Sequence, residues 1–253
     1  MRCAIIIPAR FASSRLPGKP LLRETGKYLI QHVYEQACQS KRATDVIVAT
    51  DDSRIVAAVE SFGGRVMMTR ADHSTGTDRV AEVACRLDAD VIVNLQGDEP
   101  LIDPKALDLL PELLERDRGS VIATLAVPLP SLEAYYSPNV VKVVRDRKGR
   151  ALYFSRSPIP MVRDGEPDLV RQPQLFLQHL GLYAYRKEAL LELATLPPDP
   201  IEQAEKLEQL RVLAMGWQIQ VGVIGHAGRG VDTPEDYARF VEQYRSPELS
   251  VAA

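Results

Sequence analysis

The feature that most constrains this chain is an abrupt change of character near its start. Ile5-Ile6-Ile7 is a short apolar run of β-branched residues, and Pro8 ends it. A continuous apolar run of this kind reads as a strand covered on both faces, as in a parallel sheet. Pro8 cannot donate a ladder hydrogen bond, so the strand stops there. The next segment, up to Leu21, is small and polar and carries Arg10, Arg15 and Lys19. Open α/β sheets bind ligands beyond the carboxyl ends of their strands. Three cations in that position read as an anion clamp, against the plain alternative of a solvated basic loop. Ser13 and Ser14 add donors, and Pro17 and Pro20 stiffen the chain around Gly18 and Lys19, which lowers the entropic cost of holding a ligand. The spacing is neither the Walker type nor the dinucleotide type, so phosphates would be held by another geometry.

Beyond this loop, helices and strands alternate. Residues 28–40 carry Ile30, Val33, Tyr34 and Ala37 at helical spacing. A strand is expected at 45–50, and Asp51, Asp52 and Ser53 supply cap chemistry for a helix that stops at Gly63-Gly64. Val66-Met67-Met68 gives a third strand. This order implies right-handed crossovers and a parallel sheet flanked by helices, a Rossmann-like α/β layout. The polar string Arg70 to Arg79, with Gly76, leads into a helix at 80–87 for which Thr77 is the expected cap.

Val91 to Leu95 reads as a central strand with Gln96, Gly97, Asp98 and Glu99 at its carboxyl end. A carboxylate there, beyond a strand end and near a phosphate loop, is where a magnesium ligand is expected; the alternative is an ordinary Asp-Glu-Pro turn. Gly97 would let a ligand approach the backbone, and Glu99 reads as structural. Asp103 and Pro104 start a helix running to about Arg118, and 120–127 is a strand.

The grammar then changes. Residues 140–144 and 151–155 read as a hairpin, an antiparallel element inserted in the α/β pattern. The whole chain is read as one domain, 1–253, with this β element and an arm inserted at about 136–186. The arm, 161–174, is long and irregular and carries Arg163 and Arg171; it is expected to close over a substrate. In the strand at 176–186, His179 and Tyr183 share a face. With Arg156 they read as a ligand-binding wall, in which the Arg fork suits a carboxylate; a lone strand His is otherwise a satisfied structural group. Residues 201–213 read as one helix with a buried stripe of Ala204, Leu207, Leu210 and Leu213 and a solvated Glu205. After a strand at 218–224, Asp232 sits on a Gly-rich loop, where the plain reading is a turn residue. Thr233 and Asp236 cap a last helix from Pro234, and 246–253 is expected to fray.

Several classes are excluded or disfavoured. The net charge of -3 gives no global attraction to nucleic acid. No apolar run approaches the roughly 20 residues that span a bilayer, and the first run is too short for a signal core, so the expected location is the cytoplasm. Cys3, Cys38 and Cys85 read as reduced, buried thiols, and the histidines lack metal-ligand spacing.

The opening loop, the 70–79 string, the Leu95-to-Pro100 stretch, His179–Tyr183 and Leu207-Glu208-Gln209-Leu210-Arg211 resemble the sugar-activating cytidylyltransferases, roughly from Ile5 to Tyr237. Within them, the last two segments favour the branch acting on 3-deoxy-manno-octulosonate (Kdo). The resemblance implies transfer of a cytidylyl group from CTP to Kdo, feeding lipopolysaccharide assembly, by a homodimer using Mg2+. It implies catalytic roles for Lys19, Arg15, Asp98 and Asp232, with Asp98 and Asp232 on the metal. It places Ala9, Arg10, Ser14, Arg15, Lys19, Arg70, Ser74, Gly76 and Asp98 around the nucleotide, and the resembling family commonly has Ser where this chain has Thr75. It gives Gln96, Arg156, Arg163, His179, Tyr183, Glu208 and Gln209 to the sugar. Two rivals are an enzyme for another acidic sugar, such as 8-amino-Kdo or a sialic acid, and a non-catalytic nucleotide-sugar sensor.

Overall fold

In the computed structural model, which describes residues 1–12 and 16–246, the first apolar run forms β1 (Cys3–Ala9), buried along almost its whole length; the strand runs on through Pro8, opposite Ala49, and does not stop there as expected. In chain order there come α1 (Leu29–Ala37), β2 (Ala43–Thr50), α2 (Ser53–Ser61), β3 (Val66–Met68), α3 (Gly76–Ala84), β4 (Val91–Asn94), α4 (Pro104–Arg116) and β5 (Ser120–Pro128). Then come α5 (Leu132–Tyr136), β6 (Lys142–Arg145), β7 (Ala151–Ser155), β8 (Leu177–Arg186), α6 (Lys187–Leu193), α7 (Pro200–Glu205), α8 (Gln209–Ala214), β9 (Gln218–Val223) and α9 (Pro234–Arg245). The fold class is α/β, with parallel strands flanked by helices and a set of antiparallel strands.

The chain divides into two compact units. The first holds residues 2–89, 94–107 and 228 onward. Its strands β3, β2 and β1 pair in parallel, with Ile6 opposite Ile47 and Ala49 opposite Met67. The all-apolar strands reflect this: β1 and the end of β2 have no solvated face, so alternation is lost. Asp52 caps α2 through Arg54 N, and the helix ends before Gly63, whose φ of 76° suits glycine. The cap of α3 is Thr75, not Thr77. Thr75 and Asp78 form a reciprocal capping box, while Thr77 is buried inside the helix. Thr233 and Asp236 form the same box at α9, as the sequence indicates.

The second unit holds residues 90–93 and 108–227. Its strands run in the order β4, β8, β5, β9. β5 is antiparallel to β8 and parallel to β9, and the β6–β7 hairpin joins through β8. The single helix expected at 201–213 is two helices. Lys206 breaks it with φ 54°, in the left-handed region, and Leu207 N then donates to Glu202 O at 3.2 Å. Leu207 and Leu210 are buried as expected, but Ala204 is exposed. Helices α5 and α6 come after β5 and β8 without a strong start signal; the former is capped by Ser131 through Ala134 N. Of the cysteines, Cys3 is buried but Cys38 and Cys85 are exposed, so only the first fits the expectation of a buried thiol. The frayed end expected at 246–253 lies, beyond Ser246, outside the described residues. Among the described residues no helix is long and apolar enough to cross a membrane.

Candidate active site

The cleft of the first unit starts where β1 ends. Gly18, at φ 68°, turns the chain back, and its N–H donates to Phe11 O at 3.1 Å. A single 3₁₀ turn, Lys19–Leu21, comes next with Pro20 buried, and this fixes the root of the Lys19 side chain. Lys19 Nζ donates to Asp98 Oδ2 at 2.6 Å, to Val231 O at 3.0 Å and to Asp232 Oδ1 at 3.3 Å. An ammonium has three N–H donors, so this set can use them all.

The two aspartates come from loops that are themselves tied together. Val231 N donates to Asp98 O at 2.8 Å. Two glycines permit the packing. A Cβ at Gly228 would lie 2.3 Å from Leu101 O, and one at Gly97 would lie 3.0 Å from Pro8 O. Gly97 therefore serves close approach of backbone to backbone, and it also lines the cavity, where the sequence pointed to approach of a ligand.

Ala9, Arg10, Lys19, Gly76, Gln96, Asp98 and Asp232 line a cavity of about 400 Å³, a size that suits a small-molecule ligand. Gly76 opens α3, which brings the positive end of the helix dipole to the cavity wall. Arg10 lines the cavity and has a second task besides the one expected of it. Its Nη2 donates to His73 O at 2.6 Å and Thr75 O at 3.1 Å, so it braces the loop ahead of α3. Arg70 and Ser74 are exposed and are not among the lining residues; Arg70 pairs with Asp72 at 3.3 Å. Ser14 and Arg15, like Ser13, lie outside the described residues.

Three carboxyl groups, Asp98, Glu99 and Asp232, crowd around the Lys19 ammonium. Burial pushes the Glu99 carboxyl up to about 7, and the neighbouring charges of Asp98 and Asp232 push the same way, against Lys19. Asp98 and Asp232 both reach one Lys19 nitrogen, so both can reach one metal ion. No cluster of three or more His, Cys, Asp or Glu poised to hold a metal occurs among the described residues. Two carboxylates fit a hard cation completed by phosphate and water, which is how magnesium is ordinarily held.

The second unit gathers most of the residues assigned to a sugar. His179 and Tyr183 have ring centroids 5.4 Å apart, and Phe154 packs edge-on to His179 at 4.9 Å. Burial lowers the His179 pKa to about 3, so its ring is neutral at pH 7. Burial, with help from Tyr185 and Glu208, pushes the Tyr183 phenol well above its ordinary value. Glu208 precedes α8, and the buried Gln209 side chain leaves its Nε2 without a hydrogen-bond partner among the described residues. Such an orphan donor is what an absent polar ligand would satisfy. Gln96, also assigned to the sugar, belongs to the cleft of the first unit. Arg163 lies exposed on the arm, whose Val162 and Leu169 pack on Leu129, Tyr135 and Phe176.

Arg156 is less available than its assignment assumed. Its Nε donates to Glu205 O at 2.7 Å, Nη1 to Pro138 O at 3.0 Å and Nη2 to Lys206 O at 3.5 Å. That leaves two of its five N–H donors. Glu205 is not solvated as expected. Its carboxylate accepts from Ser155 Oγ at 2.6 Å and from Arg156 N at 2.9 Å. Sequence reasoning also gave no role to Lys142. It is wholly buried, and its Nζ donates to Ser137 O, Val140 O and Arg156 O at 2.8, 2.6 and 2.5 Å. A lysine inside an apolar strand was the available signal, since buried ammonium groups need partners.

Comparison with known proteins adds identity to this geometry. A family model described as cytidylyltransferase matches residues 4–219. A 3-deoxy-manno-octulosonate cytidylyltransferase of Geobacter metallireducens is 52% identical over 248 residues, covering 96% of this chain and 98% of its own length. One from Syntrophobacter fumaroxidans is 54% identical over 244 residues, covering 95% and 96%. A solved CMP:2-keto-3-deoxy-manno-octonic acid synthetase complexed with CTP is 45% identical, with a TM-score of 0.91, and the match covers 98% of this chain and 100% of that one.

Proposed function

Because the chain belongs to the cytidylyltransferase family, we propose that it transfers a cytidylyl group from CTP to Kdo, giving CMP-Kdo and pyrophosphate. The oxygen of the anomeric hydroxyl bonds to the α-phosphorus, the bond from that phosphorus to the bridging oxygen breaks, and pyrophosphate leaves. The hydroxyl proton is lost to solvent or to the leaving group. Such a displacement needs positioning and charge stabilisation more than covalent help from protein. The observation that carries the reading is the convergence of Asp98 and Asp232, far apart in sequence, on the Lys19 ammonium inside a cleft of about 400 Å³.

Asp98 and Asp232 would hold Mg2+, which supplies charge neutralisation at phosphate oxygens and polarises the attacking hydroxyl. Lys19 would then exchange carboxylate partners for phosphate oxygens and stabilise the departing charge. The α3 amide end, braced by Arg10, would face the nucleotide. In the second unit, His179, Tyr183, Glu208, Gln209 and the remaining Arg156 donors would receive the hydroxyls and carboxylate of the acid sugar. We assign the protein to the cytoplasm, where CTP is available, and to a homodimer, as the resemblance implies. The product would enter lipopolysaccharide assembly.

The test is release of pyrophosphate from CTP with a panel of acid sugars. Turnover with Kdo should exceed that with 8-amino-Kdo or a sialic acid, and chelation of divalent ions should abolish it. Turnover with a sialic acid but not with Kdo would overturn the substrate. Full turnover in chelator would overturn the metal. Sedimentation of the full chain checks the dimer.

A further inference from the structure

Strands β5 and β8 fall out of step at one place. Thr124 pairs with Tyr183, while the next residue, Leu125, pairs with Leu180. One step along β5 therefore spans three along β8. Bulges of this kind leave backbone groups outside the ladder and re-aim neighbouring side chains, often beside active sites. Here the Thr124 hydroxyl meets the displaced backbone. Its Oγ1 donates towards Leu182 O at 2.8 Å and Leu180 O at 3.1 Å. The same oxygen lies 3.0 Å from Nε2 of His179.

A threonine hydroxyl carries a single hydrogen. With that hydrogen directed at the carbonyls of the bulge, Oγ1 can only accept from His179. Nε2 must then carry the ring proton. A neutral imidazole has one N–H, so Nδ1 is left as a bare acceptor. The ring is neutral because burial holds its pKa at about 3. Among the described residues no hydrogen bond uses Nδ1. Phe154 and Tyr183 flank the ring and limit its rotation.

We propose that Thr124 is a positioning residue that locks His179 in its Nε2–H form, so that Nδ1 accepts a hydrogen bond from a hydroxyl of the acid sugar. This rests on the assignment of the second unit's wall to the sugar and sharpens it. An acceptor nitrogen repels a carboxylate and selects a donor. The sugar carboxylate must therefore be met elsewhere, by Arg156, and His179 reads the hydroxyl pattern. The proposal also gives the bulge a purpose: without the displaced carbonyls the threonine hydrogen would be free to turn towards Nε2.

The test uses the full chain labelled with 15N-histidine, in which His179 is assigned among four histidines by loss of its signal in His179→Gln. Long-range 15N–1H correlations should show a protonated Nε2 and an unprotonated Nδ1 at pH 7. Saturating acid sugar should shift Nδ1, not Nε2, in the direction of a hydrogen-bond acceptor. Thr124→Val should raise KM for the sugar about tenfold while KM for CTP stays within twofold, and Thr124→Ser should restore it. The wild-type spectrum stands even if Thr124→Val fails to fold. A protonated Nδ1, or an Nδ1 signal unmoved by sugar in enzyme that turns over, overturns the proposal and leaves the Kdo activity standing. Absence of turnover with any acid sugar overturns the functional reading instead, whatever the tautomer.

Discussion

Lys19, Asp98 and Asp232 are charged groups on loops, with exposures rising from 13% to 29% and 49%. The groups around His179 are mostly neutral, sit on strands and are mostly enclosed: Thr124 and Phe154 are fully buried and His179 nearly so. The first arrangement leaves its charges able to change partners, which a phosphate site needs. The second fixes donors and acceptors in advance, which lowers the cost of reading a polyhydroxylated ligand. The difference has a testable form. Substitutions in the cleft should remove activity and spare the fold. Substitutions in the wall should disturb both.

The largest effect expected is on rate. Asp98→Ala should cut kcat for pyrophosphate release by about a hundredfold to a thousandfold, the usual loss for an electrostatic stabiliser. Asp98 is partly exposed, so the unfolding midpoint in urea should barely move. A variant that keeps near-normal turnover, or that loses activity only by unfolding, would break the contrast between cleft and wall.

The wall should show itself in the pH dependence of stability. His179 has a folded pKa of about 3 against an ordinary value of 6.5. The unfolded chain therefore takes up a proton at this site as pH falls below 6.5, and the folded chain does not. The stability contributed by neutral His179 is whole above pH 6.5 and drains away as pH falls towards 3. Between pH 7 and pH 4 this is on the order of 3 kcal/mol, because each tenfold difference in proton affinity between folded and unfolded chain is worth about 1.4 kcal/mol. Urea unfolding of wild type and His179→Phe across that range checks it. The variant should lose less stability on acidification, and parallel curves would refute the assignment.

Lys142 sharpens the comparison by being charged and yet belonging to the buried side. Lys142→Met keeps the bulk but leaves the carbonyls of Ser137, Val140 and Arg156 without their shared donor. Unsatisfied buried polar groups cost about 1–3 kcal/mol each, softened by relaxation, so a loss of about 2–3 kcal/mol is expected in urea. Because the Arg156 backbone is held by this contact, KM for the sugar should rise more than KM for CTP. Equal changes in both would mean that Lys142 serves the fold alone.

Much of this contrast was legible in the sequence, and the split runs along physical lines. The buried strands announced themselves because apolar runs such as Ile5–Ile7 have no other good use. The cleft was legible because its residues come just after strands or just before a capped helix, where local chemistry marks position. The break at Lys206 was not, because the residues on both sides keep helical spacing and no glycine or proline marks it. Glu205 was misjudged for a related reason: its partners, Ser155 and Arg156, are about fifty residues upstream, beyond the reach of local pattern. Thr124 depends on strand register, which a bulge sets; Gly181 in an otherwise regular strand was the only hint of it.

The smallest effect is expected at Thr75, and it tests whether a residue next to the cleft can act purely through local structure. Thr75 Oγ1 accepts from Asp78 N at 3.0 Å, and Asp78 Oδ2 accepts from Thr75 N at 3.0 Å. Thr75 O also takes a hydrogen bond from Arg10 at 3.1 Å. The side chain is thus a helix cap, and the carbonyl is part of the brace behind the cleft. Thr75→Ala should lose about 1 kcal/mol of stability, the ordinary value of a cap, while Thr75→Ser should be nearly neutral. The serine commonly found there in the resembling family is then an equivalent cap. If Thr75→Ser instead changed KM for CTP several-fold with stability intact, the hydroxyl would have to face the nucleotide, and the cleft would read its ligand through side chains as the wall does.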